Sequence, residues 1–277
     1  MCRLYGFRAT DPTLVECSLV EAQNALLRQS EQDSRGLANL DGWGIAQWDS
    51  DGLHLERRPR SAVGDLKFTE VASQARSTTV IAHVRAATVG EPESENTHPF
   101  HHGPWVFAHN GTLTAFDRVA PLLDIGLISP SGTTDSEAIF SWLLNRMPEF
   151  GLDPERPTSS PEPLAHLIGA AVVDLHNMSM SAGARRPAKL NFLISDGSNL
   201  VASRWGNSLY WTHRSAVPDC AVCGLSHCED VDDHYRAIVI ASEPITDEHW
   251  TEVQEGSVLS VDRSATLVTR DLLVPAA

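Results

Sequence analysis

The second residue is a cysteine, preceded only by methionine. Cysteine is small enough for the initiator methionine to be removable. Removal would put a thiol and a free α-amine on the same residue. An α-amine titrates at about 7.7–8.0, close to working pH, so it can take the thiol proton without a histidine partner. N-terminal nucleophiles are one known way of activating a thiol; the plain alternative is an incidental Cys2 behind a retained Met1. Further along, His83-Val84-Arg85-Ala86-Ala87-Thr88-Val89-Gly90 places an arginine where a β-branched run ends, with Thr88 three residues on and Gly90 for a tight turn. Arg85 can hold a carboxylate through a bidentate pair or can simply pair with an acidic neighbour. Ala108-His109-Asn110-Gly111 offers two adjacent donors, the Asn110 amide and the Gly111 N–H, which could form an oxyanion hole. Asn-Gly is equally the favoured two-residue hairpin turn. In Thr134-Asp135-Ser136-Glu137, Asp135 is either a helix N-cap or a carboxylate for a substrate ammonium group.

These groups need a frame, and the apolar pattern supplies one. A short apolar stretch, residues 4–7, follows Cys2, and short apolar or β-branched runs predict strands at residues 43–48, 78–84, 105–108, 190–194, 200–202, 209–212, 238–241 and 266–269. Helical spacing links Leu19, Ala22, Leu26 and Leu27. A second helix opens at Asp135, buries Ile139, Phe140, Leu143, Leu144 and Met147, and stops at Pro148. A third starts at Pro163 and carries Leu164, Leu167, Ile168, Ala171 and Leu175. The Pro/Ser/Glu-rich residues 154–163 read as a surface loop. Helices lying between groups of hairpin-like strands fit two sheets with helices outside better than an alternating parallel fold.

Taken in order, the motifs resemble the class II glutamine amidotransferases, the N-terminal-nucleophile family. Cys2, the Arg85 segment, His109-Asn110-Gly111 and Thr134-Asp135-Ser136-Glu137 occur in that family's order. So do Asp41-Gly42-Trp43-Gly44, Asn96-Thr97-His98-Pro99-Phe100, Ser195-Asp196-Gly197 and Ala241-Ser242-Glu243-Pro244, so that the likeness spans roughly residues 2–262. It is nearest to small stand-alone members, with a related branch that hydrolyses a γ-glutamyl amide in ergothioneine synthesis. The resemblance implies an α+β fold: a four-layer αββα sandwich of two antiparallel sheets, formed by one domain over residues 2–277 with Met1 removed. It implies that Cys2 attacks the side-chain amide of glutamine or a γ-glutamyl amide and carries a γ-glutamyl thioester. Asn110 and Gly111 would stabilise the oxyanion. Arg85, helped by Thr88, would clamp the substrate α-carboxylate, and Asp135 would pair with its α-ammonium. Many synthase-linked members read Arg-Trp-Ala-Thr-His-Gly at the arginine; here Ala86 and Val89 replace the Trp and the His. The resemblance then implies a roomier pocket that suits a larger γ-glutamyl substrate.

Composition removes several other function classes. The 277 residues carry a net charge of −15, which argues against a duplex nucleic-acid binder and against docking on anionic lipid. The charge reads as solubility, with Arg85 as the functional cation held inside. No apolar run reaches membrane-spanning length, and Arg3, Arg8, Asp11 and Glu16 break any secretion-signal core. Five cysteines in a chain of this size predict a reduced, cytoplasmic protein. Cys220, Cys223, His227 and Cys228 form one short knuckle that could bind zinc or could be reduced thiols in a loop. No Gly-rich phosphate loop and no His-Glu-x-x-His pattern is present, so no cofactor is expected. Two other functions fit the same residues: a glutaminase subunit that gives ammonia to a separate synthase, and an inactive ligand-binding or zinc-knuckle interaction protein.

Overall fold

The computed structural model describes residues 2–215 and 234–272. The Cys220–Cys228 cluster lies outside the described residues. One sheet contains β1 (Arg3–Leu14), β2 (Gly42–Asp49), β3 (Gly52–Arg58), β4 (Arg76–Arg85), β9 (Tyr210–Arg214), β10 (Ala237–Ala241) and β11 (Thr251–Glu252), in the order β11-β9-β10-β1-β4-β2-β3. The second contains β5 (Phe100–His102), β6 (Trp105–Thr112), β7 (Lys189–Ser195), β8 (Leu200–Arg204), β12 (Ser257–Val261) and β13 (Leu267–Asp271), in the order β13-β12-β8-β7-β6-β5. Every described pairing is antiparallel. The helices are α1 (Leu26–Glu31), α2 (Leu66–Gln74), α3 (Phe116–Val119), α4 (Asp135–Arg146) and α5 (Glu162–Ser181).

Three apolar layers follow from strand alternation. On β1, Tyr5, Phe7 and Ala9 turn outward and pack in a cluster with α1 and α2 that includes Leu26, Phe68 and Ala72. Leu4 turns inward and meets Ile81, Val106, Ala108, Leu193 and Leu200 between the sheets. On the far side Phe107, Phe192 and Ile194 pack against Ile139, Leu143, Leu167 and Ile168 of α4 and α5. The expected α+β sandwich of two sheets with helices on both outer faces is therefore what the chain builds. Gly6 matters here, because a Cβ at that position would meet the Leu193 and Leu200 side chains at 3.1–3.3 Å.

Several local expectations are corrected. The helix drawn through Leu19 to Leu27 is two pieces, a π-helical turn at Cys17–Glu21 and the short α1, separated where Ala22 is extended. Pro148 does not end helical structure; it sits in a 3₁₀ turn, Met147–Phe150, that extends α4. The strand at 105–108 runs on through Asn110 and Gly111 to Thr112, paired throughout with β7, so Asn110-Gly111 is not a hairpin turn. The N-cap of α4 is Thr134, whose hydroxyl accepts from the Glu137 N–H at 3.2 Å. Asp135 is the first helical residue, and its carboxylate is turned elsewhere.

Candidate active site

Cys2 lies at the head of the central strand β1, where Arg3 pairs with Val84 of β4. Its thiol meets the next residue after β4: the Ala86 N–H lies 3.4 Å from Sγ and the Ala86 carbonyl 3.5 Å. Burial pushes the Cys2 thiol up, while the Ala86 N–H hydrogen bond and the Arg85 charge pull it down and Asp135 adds to the upward push. Two of the charged groups chosen from the motifs, Arg85 and Asp135, thus act on this one sulfur. Behind it lies a cation that the sequence reading left out. Arg3 is buried, donates to the Cys2 carbonyl at 2.9 Å, and pairs with Asp33 and, at 2.7 Å, with Glu243. Arg85 is therefore not the one cation held inside at this site. Glu243 also receives the Ser34 N–H and hydroxyl, which ties residues 33 and 34 to the end of β10.

Asn110 faces the same end of the inter-sheet layer. Its Nδ2 donates to Ser242 Oγ at 3.2 Å, and that hydroxyl also accepts the Leu4 N–H at 2.9 Å. Ser242 thus joins the strand that begins at the cysteine to the amide that could hold an oxyanion. Gly111 is obligatory at its position: a Cβ would overlap the Lys189 carbonyl oxygen and the His109 ring. His109 occupies the other face of β6. Its Nε2–H donates to the Lys189 carbonyl at 2.8 Å, which assigns Nδ1 as acceptor of the Ser136 hydroxyl at 2.9 Å. Burial lowers the His109 pKa against the raising effect of Asp135, so the ring is neutral and acts as a spacer. The Asp135 carboxylate accepts from the Leu113 N–H at 2.7 Å and the Ser136 N–H at 2.9 Å, which locks the start of α4 against the end of β6.

The remaining wall is a loop. Arg85 is the last residue of β4 and is buried, and its guanidinium donates to the carbonyls of Val89 (2.8 Å), Gly90 (3.0 Å) and Glu91 (3.2 Å). The arginine therefore shapes its own loop as well as facing the site. Thr88 is exposed on this loop, with Oγ1 3.3 Å from Thr112 Oγ1 beside Gly111. Asp41 accepts from the Ala87 N–H at 2.8 Å. Asn96 donates to the Glu91 carbonyl at 3.1 Å and accepts from the Thr133 N–H at 2.8 Å, which ties the Arg85 loop to the approach to Asp135.

The structure thus brings Cys2, Arg85, Thr88, Asn110, Gly111 and Asp135 to one end of the sandwich. It adds Arg3, Asp33, Asn96, Ser242 and Glu243 as residues that hold them. The signal for Asn96, Ser242 and Glu243 was in the sequence, within two matched stretches to which no role was attached. Gly42 and Gly44 have a role too: Cβ atoms there would press on Thr97 and overlap the His98 carbonyl, so the two glycines admit the residue 96–100 segment against β2. Arg3 and Asp33 carried no motif signal, since their pairing is long-range. Among the described residues no group of three or more His, Cys, Asp or Glu side chains could hold a metal ion. No described helix is long and apolar enough to cross a membrane.

Comparison with known proteins adds an independent line. The family pattern described as "Glutamine amidotransferases class-II" matches residues 1–273. The chain is 28% identical over 278 residues to the gamma-glutamyl-hercynylcysteine sulfoxide hydrolase of Mycolicibacterium smegmatis, covering 97% of this chain and 99% of that one. It is 27% identical over 299 residues to the probable glutamine amidotransferase DUG3 of Saccharomyces cerevisiae, covering 97% and 84%. Among solved structures, a "predicted glutamine amidotransferase" from Pseudomonas aeruginosa superposes with a TM-score of 0.63 at 28% identity, covering 97% of this chain and 100% of that one. The glutamine phosphoribosylpyrophosphate amidotransferase of B. subtilis superposes with a TM-score of 0.57 at 15% identity, covering 99% of this chain and 50% of that one, a likeness of fold alone.

Proposed function

The chain belongs to the class II glutamine amidotransferases, and we propose that it acts as a cysteine-dependent hydrolase of γ-glutamyl amides, with Met1 removed and Cys2 as nucleophile. The observation that carries this reading is the Ser242 hydroxyl, which receives both the Leu4 N–H and the Asn110 amide. One side chain then sets the nucleophile's strand and the oxyanion donor against each other. In the proposed reaction the α-amine of Cys2 takes the thiol proton and Sγ attacks the γ-carbonyl carbon. Asn110 Nδ2 and the Gly111 N–H receive the developing oxyanion. The amine leaves with the proton returned by the α-ammonium, and a γ-glutamyl thioester remains on Cys2. Water attacks that thioester, releases glutamate and restores the thiol. Arg85 and Thr88 take the substrate α-carboxylate, and Asp135 takes its α-ammonium. The zwitterionic end of the substrate thus meets one fixed cation and one fixed anion.

Two facts favour a leaving group larger than ammonia. Position 86 carries Ala, whose backbone touches the thiol and whose side chain adds no aromatic wall. The M. smegmatis relative, matched over nearly its whole length, is named for hydrolysis of a γ-glutamyl compound. We place the enzyme in the reducing cytoplasm, where a free Cys2 thiol persists, and as one hydrolase domain over residues 2–277. Glutamate release from free glutamine, set against a panel of γ-glutamyl amides of amines, amino acids and peptides, tests the reading. The expected result is a kcat/KM at least about tenfold higher for some γ-glutamyl amide than for glutamine. Hydrolysis of glutamine alone, or only in the presence of a second protein that consumes ammonia, would replace this reading with that of an ammonia donor.

A further inference from the structure

Asn110 can hold an oxyanion only if its amide is turned with Nδ2 toward the site, and a terminal amide keeps almost the same shape when flipped, so only its hydrogen-bond partners fix which end carries the donors. What fixes it is a chain of hydrogen bonds that all run in one direction. Lys189 Nζ donates to Asn207 Oδ1 at 3.2 Å. Asn207 Nδ2 donates to Asn110 Oδ1 at 3.3 Å and to the Asn110 backbone carbonyl at 2.9 Å. Asn110 Nδ2 then donates to Ser242 Oγ at 3.2 Å. The ammonium has no acceptor, so it dictates which end of the Asn207 amide faces it. Asn207 in turn dictates which end of the Asn110 amide faces Ser242, whose hydroxyl accepts the N–H of Leu4, two residues after Cys2.

The turn that carries Asn207 is built to hold it. Asn191, wholly buried and opposite Asn110 on β7, accepts the Trp205 N–H at 2.9 Å and the Asn207 N–H at 3.3 Å, and donates to the Asn207 carbonyl at 3.1 Å. Gly206 has a positive φ of 90°, and a Cβ there would meet Lys189 Cγ at 3.0 Å, so the glycine makes room for the lysine stem. Asn207 itself is 5% exposed. Its side chain thus passes an orientation between two residues in a place that water barely reaches.

We propose that Lys189 and Asn207 are positioning residues that orient and polarise the Asn110 amide as the oxyanion donor of the proposed hydrolysis. The inference rests on the functional reading above and deepens it. An amide whose oxygen accepts from a cation is a stronger donor at its nitrogen, and two amides in series pass that effect on with a strengthening of about 10–30% per bond. Loss of one oxyanion donor costs about 10²–10³ in rate. Removing the ammonium should then cost about two- to eightfold. Removing Asn207, which frees the Asn110 amide to flip, should cost about ten- to a hundredfold.

The test is a double-mutant cycle on hydrolysis of a γ-glutamyl amide, using Lys189→Met, Lys189→Arg, Asn207→Leu and each combined with Asn110→Ala. Lys189→Met should lower kcat with KM unchanged, Lys189→Arg should restore most of it, and neither Lys189→Met nor Asn207→Leu should have any further effect once Asn110 is alanine. A second readout needs no turnover: in protein with labelled asparagines, the Asn110 side-chain amide proton should shift upfield in substrate-free Lys189→Met. Equal losses in both backgrounds, a loss carried by KM, or an unmoved Asn110 resonance would overturn the proposal. Absence of γ-glutamyl hydrolysis in the unaltered protein would instead overturn the functional reading, while the resonance still decides the relay.

Discussion

Asn110 and Gly111 stand inside β6, paired residue by residue with β7, and Gly111 has the Lys189 carbonyl so close that no side chain fits. Across the site, Arg85 closes β4 and everything beyond it to residue 93 is loop, held by the Arg85 guanidinium, by Asp41 and by Asn96. One wall is fixed by a ladder of main-chain hydrogen bonds, the other by a few side chains reaching to main-chain groups. The strand wall is where charge would develop in the transition state, and a fraction of an ångström matters there. The loop wall is where the substrate's charged end would be held, and there replacement of residues alters size and specificity at little cost to the fold. Ala86 and Val89 lie on that second wall.

Substitutions can break this contrast. The largest effect is expected at the point where the walls meet: Cys2→Ala should abolish glutamate release, with the far-UV spectrum and Tm retained, and undiminished turnover would remove the mechanism. On the strand wall, Asn110→Ala should lower kcat by about 10²–10³ with KM little changed, as measured on a γ-glutamyl amide. On the loop wall the split reverses. Asn96→Ala removes the tie from Glu91 to Thr133, so KM should rise by about tenfold while kcat stays within about twofold. A kcat loss as large as that of Asn110→Ala would show that the loop is part of the catalytic wall.

The smallest effect concerns stability and lies beneath the loop. His83 and His98 stack between the walls with ring centroids 4.2 Å apart, both buried. Burial holds His83 down to about 3 and His98 well below the ordinary histidine value. In the unfolded chain both rings take protons near pH 6.5, whereas the folded protein binds them only at much lower pH. The unfolded state therefore binds more protons, and stability falls as pH drops from about 6.5 toward 3. His83→Phe keeps the stack and removes one titration. Its unfolding free energy, from denaturant titrations between pH 6.5 and 4, should fall less steeply, by up to about 1.4 kcal/mol per pH unit. An unchanged slope would show that His83 is protonated in the folded state.

The difference between the walls also explains what could be read in advance. Fold class was legible because β1, β4, β6 and β7 are buried, with long apolar or alternating runs. β3 was not, because an edge strand with His54, Glu56, Arg57 and Arg58 exposes its pattern to water and loses the apolar signature. The reacting groups were legible because Cys2, Arg85, Asn110 and Asp135 are unusual residues at recognisable points in the chain. Asn110-Gly111 still carried the signal of a turn, and only pairing with a strand 80 residues away decides against it. Arg3 gave no signal because its partners, Asp33 and Glu243, lie 30 and 240 positions along the chain. Asn207 and Lys189 were silent for the same reason. A hydrogen-bond chain that joins four separate segments, at Lys189, Asn207, Asn110 and Ser242, leaves no spacing to read.

The most direct measurement is intact-mass and peptide mapping of the protein, acid-quenched while it turns over a γ-glutamyl amide. The expected result is a chain that begins at Cys2, with Met1 absent, and an added γ-glutamyl group on the N-terminal peptide at the Cys2 sulfur. A fully active protein that retains Met1, or a γ-glutamyl adduct on any residue other than Cys2, would contradict it.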